Sequence, residues 1–332
     1  MTTSPDQPIS GRDYPRNWDQ FIDWFPDENS CQQYLQHLRW PQGFICSRCG
    51  KQNEPFLLSR NRLMCRGCRY QSTITAGTVF EKTRTPLRTW LAAVWYVTNQ
   101  KNGVSALGLQ RVLGLGSYET AWSMLHRLRR AMVRPDREPL HGIVEIDETF
   151  LSGPRRDTGR GTRRGRARIA RTQHKVKDDK LQAIVAIAVE MHQPKGFGRI
   201  RLRQIIDKSE KSLLPFVCDE VESGSTVHTD GSFAYRSLTK QGYHHQRTVH
   251  MGSDDPASVT MPGVHRVASL LKRWLLGTHQ GSVQSQQLDY YLDEFTFRFN
   301  RRTSRSRGLV FYRLLEQAVL TKPTTYRDIA GK

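Results

Sequence analysis

Ile143-Val144-Glu145-Ile146-Asp147-Glu148-Thr149-Phe150 reads as an extended strand whose side chains alternate between two faces. Val144, Ile146 and Phe150 fall on one side and Glu145, Asp147 and Thr149 on the other. The pattern predicts one face against a core and a carboxylate face turned away from it. A second strand-like run, 225–230, ends in Asp230 and is followed by Gly231, a residue suited to a turn where a strand stops. His265 stands 35 positions beyond Asp230.

Around these residues the chain is mixed. Strand-like segments at 143–151, 181–190 and 198–206 precede a helical stretch with Leu213, Leu214, Phe216, Val217 and Val221. The strand ending at Asp230, a helix near 233–240, a strand near 243–249 and a helix from about Val264 follow. Three strands, helix, strand, helix, strand, helix is the order of an RNase H-like α/β fold, here predicted for 141–320. In the last helix Val264, Val267, Ala268, Leu271 and Leu275 form the apolar stripe, with His265, Ser269 and Lys272 off it. His265 and Lys272, seven residues apart, share a face about 10 Å apart along the axis. A lone helical histidine is ordinarily a surface or hydrogen-bonded residue. The two upstream aspartates and the lysine support a metal site made by Asp147, Asp230 and His265, with Lys272 as a phosphate-binding ammonium.

Near the start, Cys46-Ser47-Arg48-Cys49 and Cys65-Arg66-Gly67-Cys68 form two C-x2-C knuckles separated by fifteen residues. That spacing predicts a zinc ribbon within 1–80, held by Cys46, Cys49, Cys65 and Cys68. Four thiolates close a tetrahedron and leave no position open for catalysis, so this Zn²⁺ is structural. The alternative is four unrelated buried cysteines; Cys31 and Cys218 read as plain core residues. Arg48, Lys51, Arg60, Arg62, Arg66 and Arg69 interleave with Phe44, Phe56 and Tyr70, which suits contact with nucleic acid or, alternatively, a solubilised prop for a neighbouring domain.

Residues 81–140 read as helical. Leu87, Leu91, Val94 and Trp95 recur at three- and four-residue steps after Pro86. Ser105 and Ser117 are placed to cap two further helices separated by a turn at Gly114 to Gly116, the pattern of a DNA-binding helix-turn-helix. On that reading Tyr118, Glu119, Ser123, His126, Arg127 and Arg130 face the DNA; an ordinary helical linker is the alternative.

The 332 residues carry 51 Lys and Arg against 31 Asp and Glu, a formal charge of +20, with a pI of about 10.1. Such a surface calls for a polyanion. No signal peptide, lipidation motif or long apolar run is evident, which argues against a membrane partner and for a cytoplasmic, nucleoid-associated protein with reduced cysteines. Between 154 and 177 ten basic residues, among them Arg155, Arg156, Arg160, Arg163, Arg164, Arg166, Arg168 and Arg171, accompany one acid, Asp157. With Gly159, Gly161 and Gly165 the segment predicts an arm that holds DNA phosphates, or a solvated insert.

Taken together the residues resemble bacterial insertion-sequence transposases of the insertion-sequence fifteen-ninety-five group, which join an N-terminal zinc ribbon to a DDE-type domain. The resemblance rests on the knuckles, Leu38-Arg39-Trp40-Pro41, Gly77-Thr78-Val79-Phe80, the run 144–149 and Thr229-Asp230-Gly231. Leu271-Lys272-Arg273, Gly277-Thr278-His279 and the block 291–302 extend it. It implies that Asp147 and Asp230 are the first two metal-binding carboxylates and that His265 occupies the place where many relatives carry Glu. Asp293 and Glu294 are reserve carboxylates for the third place, and Glu145 and Glu148 auxiliaries. It further implies Mg²⁺ or Mn²⁺ as catalytic ions, 3′-end hydrolysis and strand transfer as the reaction, element terminal repeats and target DNA as partners, and self-association. The histidine also leaves open a non-catalytic zinc-ribbon regulator on a decayed nuclease scaffold, or a nuclease that cuts without joining.

Overall fold

A computed structural model describes residues 7–59, 62–134, 136–152, 182–192, 194–248, 257–281 and 283–331. The basic insert 154–177 lies outside the described residues. The chain divides into two compact units, Met1–Glu138 with Asp293–Lys332, and Pro139–Leu292. Residues 293–332, grouped by the sequence reading mainly with the sheet domain, therefore return to the N-terminal unit. Among the described residues no helix is long and apolar enough to cross a membrane.

The first unit is helical apart from the ribbon. Its helices are α1 (Trp18–Trp24), α2 (Glu28–Arg39), α3 (Leu87–Asn99), α4 (Ala106–Leu113) and α5 (Tyr118–Ala131). The ribbon strands β1 (Phe56–Leu58), β2 (Arg62–Met64) and β3 (Gln71–Thr73) pair antiparallel between α2 and α3 in the chain. α3 buries Leu87, Trp90, Leu91, Ala93, Val94, Trp95, Val97 and Thr98, most of its surface, and so is the central helix. Its first residue follows Pro86, which has no side chain to cap it. The carboxylate of Glu28 does so from α2, accepting from Leu87 N at 2.9 Å and Arg88 N at 2.8 Å. At the other end Arg298 donates to the carbonyls of Val97 at 2.7 Å and Lys101 at 3.0 Å.

Ser105 and Ser117 cap α4 and α5 as expected, and Gly114 ends α4 in the left-handed region at φ +62°. Later in the unit, Gly308 begins a helix where an added Cβ would lie 2.0 Å from the Pro15 carbonyl, so only glycine allows that approach. Phe21, Phe25, Trp95 and Phe311 form an aromatic cluster in this core. Arg129 and Glu294 form a buried ion pair of 2.8 Å in the same unit, with side chains 2% and 1% exposed.

The second unit is a five-stranded sheet. Its strands are β4 (Ile143–Ser152), β5 (Gln182–Met191), β6 (Phe197–Ile205), β7 (Thr226–Asp230) and β8 (His244–Thr248) in the order β6-β5-β4-β7-β8. β4, β5 and β6 are antiparallel, whereas β7 runs parallel to both β4 and β8. This is the α/β, RNase H-like arrangement expected. α6 (Glu210–Glu220) sets Leu213, Phe216 and Val217 against Val144, Ile146, Ala186 and Val227 on one face. α7 (Ala257–Thr260) leads into α8 (Pro262–His279), which packs on β4 and β5 at the other face through Val264, Val267 and Leu271. The chain continues through α9 (Leu288–Asn300) into α10 (Arg307–Leu320) and α11 (Tyr326–Ala330) of the first unit.

The structure corrects three expectations. The helix near 233–240 is two 3-10 turns, Phe233–Tyr235 and Leu238–Gln241. Ser232 takes the N–H of Ala234 into a local hydrogen bond, and Gly242 at φ +85° ends the second turn. Glu145, expected to face away from the core, is 3% exposed because α8 covers its face of the sheet. Phe150, expected inside, is 57% exposed with Lys208 Nζ 4.9 Å from its ring centroid. β7 pairs with β4 only from Ile143 to Ile146, so Phe150 lies where β4 has outrun that partner.

Removing Arg129 takes the 2.8 Å partner from a buried carboxylate and leaves it only Arg298 at 4.0 Å. Arg129→Met is expected to lower unfolding free energy by about 3–5 kcal/mol, with Arg129→Met/Glu294→Leu recovering much of the loss in denaturant titrations. A single variant as stable as the parent would contradict this account.

Candidate functional site

Asp147 and Asp230 come together through strand register. Ile146 is opposite Thr229 in the parallel pair, so the next residue of each strand is an aspartate at the end of the paired segment. Asp147 Oδ1 accepts from Glu148 N at 2.8 Å, and Asp230 Oδ1 from Ser232 N at 3.0 Å. Glu148 is buried at the same place. Burial, a hydrogen bond with Asp147 and the charges of Asp147 and Asp230 push its carboxyl up to about 7, against the opposing pull of Lys208 at 3.5 Å. Three acidic side chains thus gather at one end of the sheet with one lysine beside them, an excess of negative charge suited to divalent cations.

His265 and Lys272 share one face of α8, and both line a cavity of ≈ 440 Å³. Asp147, Glu148, Thr149, Ile187, Ala268 and Ser269 also line it. Among the described residues, the four ribbon cysteines alone form a group of three or more His, Cys, Asp or Glu whose ligand atoms all lie within 4.8 Å of one another.

The position of His265 depends on Glu145. Met261 gives α8 no side-chain cap, and the buried Glu145 supplies one from β4 by accepting from Gly263 N at 2.7 Å and Val264 N at 3.1 Å. An added Cβ on Gly263 would lie 2.8 Å from both Glu145 Oε2 and Met191 Sδ, so this approach needs glycine. Glu145, expected as an auxiliary ligand, is engaged as a helix cap. Glu294, the reserve carboxylate, is likewise engaged by Arg129. Tyr235 was not singled out in the sequence. Its buried hydroxyl has no hydrogen-bond partner among the described residues, and burial with the charges of Glu148, Asp147 and Asp230 raises its pKa. No periodicity signals a tyrosine reaching this place from a 3-10 turn.

In the ribbon, Cys46 Sγ lies 3.6 Å from Cys68 Sγ, and Cys49 Sγ lies 3.7 Å from Cys65 Sγ. A tetrahedron with zinc–sulfur bonds of about 2.3 Å has edges of about 3.8 Å, so the quartet fits Zn²⁺. Asn53 Nδ2 donates to Cys65 Sγ at 3.4 Å and brings that thiol down to about 6, favouring the thiolate a metal requires. In the helix-turn-helix-like segment Tyr118, Glu119 and Arg130 are exposed, whereas His126, expected to face DNA, is fully buried. Its ring lies 4.3 Å from that of Trp122 and its Nε2 3.3 Å from Arg129, because the helix turns this face into the core beside Met124 and Leu125.

Residues 26–71 match the family described as transposase zinc-ribbon domain, and residues 139–300 the family described as ISXO2-like transposase domain. A Halobacterium salinarum protein described as "Uncharacterized protein in transposable element ISH50" is 28% identical over 286 residues, covering 83% of this chain and 92% of the relative.

Glu145→Ala leaves two buried N–H groups without acceptors and is expected to lower stability by about 1–3 kcal/mol, with Glu145→Gln retaining more; thermal melts of both variants check this. For the ribbon, the purified chain should hold zinc, and chelation should open residues 41–73 to protease while the sheet unit keeps its protection. A chelated chain with an unchanged cleavage pattern would argue against a metal in the ribbon.

Proposed function

We propose that this chain, which carries the zinc ribbon and the DDE-type domain of an insertion-sequence transposase, is a metal-dependent DNA transposase that frees the 3′ ends of its element and joins them to target DNA. The observation that carries the reading is the register that sets Asp147 and Asp230 side by side where the β4–β7 pairing stops, beside a cavity lined by Asp147, His265 and Lys272. The family matches support the class of protein, and the excess of carboxylate supports the chemistry.

Asp147, Asp230 and His265 hold the Mg²⁺ or Mn²⁺ ions in this reading. When bound, such ions activate a water or a 3′-hydroxyl and stabilise the leaving oxygen of an in-line displacement. A neutral imidazole beside two carboxylates lowers the negative charge of the set and shifts its preference towards Mn²⁺. Lys272, two helical turns along the same face, pairs with a phosphate of the bound strand. Thr149 and Ser269 offer hydroxyls in the same cavity. The ribbon and the exposed end of α5 contribute DNA contacts, and two copies bridge the element ends.

Purified chain, a labelled element end, target duplex and Mg²⁺ or Mn²⁺ test the reading together. Joined product is expected from the parent, and Asp147→Ala and Asp230→Ala should lose at least about a thousandfold in joining while still shifting the DNA. His265→Ala should lose joining and His265→Glu keep it with Mg²⁺. Cutting without joining would make the chain a nuclease. A shifted but intact DNA would make it a regulator built on an inactive scaffold.

A further inference from the structure

The first unit contains a groove of ≈ 1350 Å³ that the joining chemistry does not use. Arg39, Arg130, Arg134, Arg301, Arg313 and Lys322 line it, against two acids, Asp136 and Glu316. These cations arrive from the end of α2, the end of α5 and the residues after it, the residue after α9, the middle of α10 and the segment that follows α10. The stretches 127–134 and 298–307 are rich in arginine, but which of those arginines share a groove with Arg39, Arg313 and Lys322 is decided by the fold.

Part of this charge is accounted for within the unit. Arg39 donates to the carbonyls of Ile74 at 2.5 Å and Ala76 at 2.6 Å, and Arg313 pairs with Glu316 at 2.8 Å. Arg134 and Arg301 have no carboxylate within ion-pair distance among the described residues. Arg301 is the fixed member: its guanidinium lies 3.9 Å from the Phe297 ring centroid and donates to the Phe297 carbonyl at 3.4 Å. Burial and the like charges of Arg134 and Arg313 bring its pKa down to about 10, so it remains charged at neutral pH. The C-terminal ends of α5 and α9, where helix dipoles favour cations, offset part of that repulsion.

Arg301 also lines a second cavity of ≈ 200 Å³ with Lys101, Arg298, Arg302 and Arg307, of which Arg298 is held by the α3 carbonyls and Glu294. Several cations along the groove and a neighbouring cavity that shares Arg301 match an anion with repeated charges better than a single phosphate. Planar guanidinium forks match phosphate oxygens in pairs.

We propose that this groove is a phosphate-backbone site that holds duplex DNA through Arg134, Arg301 and Arg313 without regard to base sequence. The choice of DNA as the polyanion rests on the transposase reading, while the site itself rests on the arginines.

The test is equilibrium binding of the full-length chain to fluorescent duplexes, one bearing an element end and one unrelated, over roughly 50–200 mM salt. Arg134→Gln and Arg313→Gln should each reduce the slope of log affinity against log salt by about 0.9, and the double variant by about 1.8, equally on both duplexes. Arg301→Lys should keep the slope and weaken binding, because it retains the charge and loses the fork. Thermal melts confirm that the variants are folded. An unchanged slope in the folded double variant overturns the proposal, as does a loss confined to the element end, or an unchanged slope with altered oligomeric mass, which would assign the groove to protein contact. A parent that fails to join DNA but whose slope responds to the arginines would sink the transposase reading and leave the groove standing. Joining activity with unresponsive slopes would do the reverse.

Discussion

Parallel pairing of β4 with β7 is the constraint on which the second unit depends. It fixes which residues stand side by side where the two strands part, and those residues are Asp147 and Asp230. A slip of one residue would send one aspartate to the opposite face. The slip is prevented by the core beneath: Val144, Ile146 and Val227 are fully buried against Phe216 and Val217, so the register that fills the core also concentrates the carboxylates. Glu148 pays part of the electrostatic cost, as its raised pKa shows.

Buried carboxylates elsewhere have architectural work. Glu28 caps α3 and Glu145 caps α8, in each case where the helix has no capping side chain of its own. Both bind across tertiary contacts rather than within a local motif, so forming each helix start requires the neighbouring element to be in place. For α8 this ties the direction of the helix, and hence of His265 and Lys272, to the strand that carries Asp147.

The helical unit handles positive charge in a corresponding way. Arg129 is neutralised inside by Glu294, and Arg298 is spent on the carbonyls at the end of α3. Arg134 and Arg301 are held without an acid partner among the described residues, which separates arginines that build the fold from arginines available to a polyanion. Net charge alone makes no such distinction.

The amino-acid sequence determined whatever depends on short-range periodicity and spacing. The strands at 143–151, 181–190 and 198–206 lie within a residue or so of those observed; the serine caps of α4 and α5 and the quartet of cysteines are also where local pattern places them. Asp147, Asp230, His265 and Lys272 could be nominated from the same pattern. The tertiary structure alone decided which neighbours each side chain meets. It turned His126 into the core, made Glu145 a cap, brought Tyr235 beside the acids, exposed Phe150, returned residues 293–332 to the helical unit and gathered Arg134, Arg301 and Arg313 around one groove. These outcomes depend on contacts between residues far apart in the chain, and burial, hydrogen bonding and charge proximity across such contacts leave no periodic trace in the sequence.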